Sequence, residues 1–127
     1  RPPPPCRRAP AGSPSPADDY IDDKIDLNEY LVKRPGETFM VRATGESMIN
    51  AGIFPGDVLI VDRSLKPANG KIVIAAVDGQ LTVKRFQKEK NGAVALLPEN
   101  PNFEPIVLTE GNDLVIWGVV TNVIHAL

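Results

Sequence analysis

The 127-residue sequence contains one cysteine, Cys6, and one histidine, His125. A lone cysteine cannot close an internal disulfide, so any fold must rest on its own core rather than on covalent staples. Without clustered His and Cys ligands, no metal is expected, and no other cofactor either. The same scarcity limits hydrolytic chemistry. A Ser-His-Asp triad would have to recruit His125 from the C-terminal end, where a structural or solvated role is expected instead. Cys6 lies in a proline-rich stretch with nothing to hold a partner base, which makes it a poor nucleophile.

Long apolar runs are also absent. The longest is Ile72 to Val77, six residues, against the roughly 20 that a spanning helix needs. Neither a membrane segment nor a signal-peptide core is expected, and a cytoplasmic location follows as the expectation. No glycine-rich phosphate loop or dinucleotide fingerprint occurs. Charge of one sign is missing overall, with 14 basic and 16 acidic side chains, but it is unevenly placed. Residues 1–16 carry three arginines and no acid, so the rest of the chain is acidic on balance. An acidic body gives poor footing for phosphate backbones, and no direct binding to duplex DNA is expected.

What is abundant is proline at one end. Seven of the 13 prolines fall in "RPPPPCRRAPAGSPSP", Arg1 to Pro16, a density that excludes helix and central strand. This reads as an extended, flexible arm over residues 1–24, with Arg7 and Arg8 solvated. The chain opens on Arg1 rather than Met, so its natural start is expected to differ. In "IDLNEYLVKRP" Asp26 and Glu29 have capping-box spacing, Leu27, Tyr30 and Leu31 share a face, and Pro35 closes one short helix.

Beyond Pro35 the period changes to that of strands. Runs at Thr38–Ala43, Val58–Asp62, Lys71–Val77, Gln80–Phe86, Ala93–Leu97 and Leu114–Ile124 are separated by turn signals, with Asp78-Gly79 as a two-residue hairpin. The expected fold is mainly β: a single small domain of curved or folded-over, mostly antiparallel strands, with one short helix and an extended N-terminal arm. Several runs are apolar on both faces, which is why a folded-over or partly closed sheet is expected.

With histidine and cysteine set aside, serine with lysine remains. A neutral amine can take a hydroxyl proton, provided that the lysine is desolvated enough to lose its charge. Lys84, inside the strand "LTVKRF" with Thr82 and Phe86 on its own face, is the residue to examine. Arg85 projects to the opposite face, so one of the two cations can turn inward. Ser47 lies in the Gly-x-Ser-Met tetrapeptide of "TGESM". Taken separately both have ordinary readings, a solvated strand lysine and a turn hydroxyl.

Together they are familiar. "VRATGESMINAGIFPGDVLIVDRSLKPANGKIVIAAVDGQLTVKRFQ", with "LLPENPNFEPI" further on, resembles the self-cleaving serine peptidase domain shared by the LexA repressor and UmuD-type mutagenesis proteins. The resemblance spans about residues 14 to 124. It implies Ser47 as nucleophile and Lys84 as general base, in a peptidase domain over residues 25–127. It also implies self-cleavage before a glycine, and "APAGSPSP" offers the Ala11-Gly12 bond. The likeness is nearer to UmuD-type proteins, since only 11 residues precede that bond where a repressor carries a DNA-binding domain. For a UmuD-type protein this arm is short and unusually rich in proline.

The UmuD-type likeness implies a homodimer, cleavage stimulated by a RecA–single-stranded-DNA filament, and a shortened product that serves a UmuC-type translesion DNA polymerase in the SOS response. Three alternatives stay open. One is the C-terminal part of a LexA-like or phage repressor. Another is a signal-peptidase-like enzyme, disfavoured by the missing membrane segment. The last is a non-catalytic module that binds polymerase or filament.

Overall fold

The computed structural model describes residues 24–127. The expected arm, apart from Lys24, and the Ala11-Gly12 bond therefore lie outside the described residues. The chain divides into two units at Lys33 and Arg34.

In the first unit the helix α1 runs over Leu27–Leu31, and the Asp26 carboxylate accepts from the Asn28 and Glu29 backbone N–H groups. The Glu29 part of the expected cap is thus a backbone donor. The helix also stops earlier than Pro35. Val32 is already extended (φ −106°, ψ 91°), and Arg34, just before the proline, sits at φ −132°, ψ 89°, because a following proline ring disfavours the helical region. Pro35 instead opens a single 3-10 turn, Pro35–Glu37, where its missing N–H costs nothing.

The second unit is a sheet of seven antiparallel strands: β1 Thr38–Arg42, β2 Val58–Asp62, β3 Ile72–Val77, β4 Gln80–Lys88, β5 Val94–Leu97, β6 Ile106–Val107 and β7 Leu114–Ile124. Their spatial order is β1-β2-β7-β3-β4-β5-β6. The mainly β, antiparallel fold is as expected, with β6 an addition: two residues flanked by a proline-rich stretch are too short to show a period. The β3–β4 hairpin turns on Asp78 (φ 48°) and Gly79 (φ 84°), the doubly left-handed geometry that Asp-Gly favours.

Strand β3 explains the two-sided apolar runs. Ile74 joins a core with Ala43, Met48, Ile53, Leu59 and Val61. Its neighbours Val73 and Ala75 join a second core with Phe86, Leu96 and Val119. Successive strand residues point to opposite faces, so the sheet is buried on both sides here. Strand β7 follows its neighbours by slipping register twice, opposite Ile74/Ala75 and opposite Ile60/Val61. Such bulges bend a strand and increase its twist. The first core lies under the loop that carries Ser47.

Candidate active site

The loop from Thr44 to Asp57 joins β1 to β2 and is held from within. Met48 and Ile53 are buried in the first core, and a 3-10 turn, Ile49–Ala51, ends on Gly52 in the left-handed region (φ 83°). The loop closes on itself where Ala43 N–H donates to Asp57 O and Gly56 N–H to Ala43 O, both at 2.8 Å. A second segment, just after β5, grips it from outside. Glu99 N–H donates to Ser47 O at 2.7 Å, Asn50 N–H donates to Glu99 O at 2.9 Å, and Asn100 Nδ2 donates to Glu46 O at 2.9 Å.

Strand β4 presents Lys84 to this loop. Lys84 Nζ lies 3.0 Å from Ser47 Oγ and donates to Thr82 Oγ1 at 2.6 Å. Lys84 is only 8 % exposed, and burial alone lowers its pKa from the ordinary 10.5, because a charged ammonium loses more than a neutral amine when water is removed. Of the two adjacent cations, Lys84 is the one turned inward. Arg85 pairs with Glu99 and donates to Gly70 O at 2.6 Å. Strand alternation puts Thr82 on the face of Lys84, and that two-residue spacing is the sequence signal for its contact with the amine. Nothing in the local pattern marked Glu99 and Asn100.

A cleft of about 170 Å³ opens beside the pair, with Val41, Leu59, Ile74 and Leu81 among its lining residues. A small recess with both apolar and polar walls, next to a hydroxyl and a buried amine, suits a short side chain flanking an acyl group. The arrangement can move a proton from oxygen to nitrogen and direct the oxygen at a carbonyl carbon.

The model of the peptidase S24-like family matches residues 4–121. The chain belongs to the peptidase S24-like family. It is 50 % identical over 118 residues to protein SamA of Salmonella typhimurium (strain LT2), covering 93 % of this chain and 81 % of the relative. It is 47 % identical over 118 residues to protein ImpA of Escherichia coli, covering 93 % and 79 %. The LexA repressor of Bordetella parapertussis is 36 % identical over 118 residues, which cover 93 % of this chain and 54 % of the repressor. S24-like membership, with UmuD-like relatives, supports a serine peptidase class.

For this S24-like chain the remaining candidates fall elsewhere. His125 Nδ1 sits 2.6 Å from the buried Asp57 Oδ1, and its ring lies 5.3 Å from that of Phe54. It ties the C-terminal end to the foot of the Ser47 loop, a structural use. No group of three or more His, Cys, Asp or Glu side chains able to hold a metal occurs among the described residues. No described helix is long and apolar enough to cross a membrane.

Proposed function

We propose that this chain is a self-cleaving serine peptidase in which Ser47 is the nucleophile, Lys84 the general base and Ala11-Gly12 the scissile bond. The observation that carries this reading is the 3.0 Å approach of a buried lysine amine to Ser47 Oγ. Neutral Lys84 takes the hydroxyl proton while Oγ attacks the Ala11 carbonyl carbon. The resulting ammonium then returns that proton to the Gly12 nitrogen as the C–N bond breaks, freeing the Gly12 amine and leaving Ala11 as an ester on Ser47. Water, deprotonated by Lys84 in turn, hydrolyses the Ala11 ester and regenerates Ser47.

The likeness to SamA and ImpA over most of their lengths supports a cytoplasmic, UmuD-type role in DNA-damage mutagenesis. In that role a RecA–single-stranded-DNA filament stimulates cleavage, and the shortened homodimer serves a UmuC-type translesion polymerase. The LexA likeness favours a second reading, the cleavage half of a repressor, with the same chemistry.

The test is mass analysis of the purified chain incubated with RecA, ATP and single-stranded DNA. Products ending at Ala11 and beginning at Gly12 are expected, and Ser47→Ala and Lys84→Ala should stay whole. Cleavage at another bond, or cleavage that survives both substitutions, would remove the assignment. An intact wild type, with polymerase stimulation unaffected by Ser47→Ala, would make the chain a binding module instead.

A further inference from the structure

The two peptide planes on either side of Ser47 are both held by the segment after β5. A trans peptide is planar, with its C=O and N–H pointing in opposite directions. Fixing the Glu46 carbonyl therefore fixes the Ser47 N–H, and fixing the Ser47 carbonyl fixes the Met48 N–H. The Ser47 carbonyl is taken by a backbone donor, Glu99 N–H, which no side-chain change removes directly. The Glu46 carbonyl is taken by a side chain, that of Asn100. Asn100 is only 7 % exposed. Its Oδ1 accepts from Asn102 N–H at 3.0 Å, so the amide is held with its NH₂ towards Glu46.

Asn100 hydrogen-bonds to neither Ser47 Oγ nor Lys84 Nζ, so it is not a catalytic residue. We propose that Asn100 is a positioning residue, whose buried amide locks the Glu46–Ser47 peptide and thereby aims Ser47 Oγ at Lys84 Nζ. This rests on the Ser47–Lys84 reading above. A misplacement of about 1 Å in such a pair costs on the order of 100-fold in rate, while the titration of Lys84 depends on its own burial and is left alone. The signature is a lower rate at every pH with an unmoved half-rise.

The experiment compares wild type, Asn100→Leu, Asn100→Ser and, as a control in the same turn, Asn102→Ala. Self-cleavage rate is measured against pH, together with thermal midpoint and backbone amide exchange at residues 46–50. Asn100→Leu removes the donor to the Glu46 carbonyl without adding a charge near Lys84. Its plateau rate is expected to fall about 100-fold, with the half-rise pH unchanged and exchange at Ser47 and Met48 accelerated. Asn100→Ser keeps a shorter donor and should retain an intermediate rate, and it carries the comparison if Asn100→Leu does not fold. Asn102→Ala should match wild type. A folded Asn100 variant that cleaves at the wild-type rate, or one whose half-rise pH moves, overturns the proposal. If wild type itself never cleaves, the peptidase reading falls separately. Amide exchange then decides the clamp: faster exchange at Ser47 in Asn100→Leu supports it and equal exchange overturns it.

Discussion

A neutral amine has two protons and one lone pair, and Lys84 has a neighbour for each use. Thr82 Oγ1 accepts one proton at 2.6 Å, leaving the lone pair available to the Ser47 hydroxyl 3.0 Å away. Thr82→Val would remove the acceptor while keeping the shape. Cleavage is expected to slow roughly 10-fold as the amine loses its orientation. The half-rise of the pH profile should also move down, since an oxygen acceptor favours the ammonium. A profile of unchanged height and position would show that Thr82 is a bystander. Lys84 also has a stability cost. Its folded pKa lies below the ordinary 10.5, so between those two values the unfolded chain binds more protons and stability rises with pH. Below that window the full penalty of burying the charge applies. Lys84→Met should therefore raise the thermal midpoint near neutral pH, with an advantage that shrinks as pH approaches 10.5. Melting curves at three pH values check this, and a pH-independent difference would contradict it.

Among the elements, β7 carries the register slips that let the sheet bend. Gly118 sits between its two register slips, and a Cβ there would meet Val61 Cγ1 at 2.7 Å and the Asp62 carbonyl oxygen at 3.0 Å. Backbone cannot yield as a side-chain end can, so Gly118→Ala should cost about 1–3 kcal/mol by overpacking, measured by urea unfolding. A loss below about 0.5 kcal/mol, the ordinary scatter of surface changes, would mean that β7 relaxes freely. A glycine inside a strand pattern signals close approach, and that much was legible in "LVIWGVV". The slips themselves were not, because residues apolar on both faces carry no alternation to break. Six strands and the Asp78-Gly79 turn were legible because β-branched runs and turn dipeptides are local signals. The Ser47–Lys84 pair was legible as a likeness rather than from spacing, since 37 residues of chain say nothing about a 3.0 Å contact. The grip of Asn100 on Glu46 spans 54 residues through one side-chain bond, and "PENPN" reads as an ordinary loop.

Across the whole molecule, acid and alkali act through different groups. Among the described residues, three aspartates have lowered pKa values. For Asp57 the Phe54 N–H contributes most, burial opposes it, and His125 adds to it. For Asp62 the Ser64 hydroxyl leads, with burial opposed and Arg34 assisting. For Asp78 the Asp113 N–H leads, followed by the Asn112 amide. A depressed carboxylate stabilises the fold above its unfolded value of 3.8 and loses that contribution as pH falls through the folded value. Unfolding should therefore ease below about pH 4, and Asp57→Asn should flatten part of that slope. On the alkaline side Lys84 makes stability rise with pH in the window where it deprotonates. Cleavage and stability should then increase together at pH values below 10.5, the ordinary lysine value. The pairing separates two explanations of faster alkaline cleavage. If the chain were cut because it opened, rate and thermal midpoint would move in opposite directions. If deprotonated Lys84 limits the reaction, they rise together in wild type, whereas Lys84→Met abolishes the cleavage and removes the alkaline gain in stability. Parallel measurement of both quantities in the two proteins decides between them.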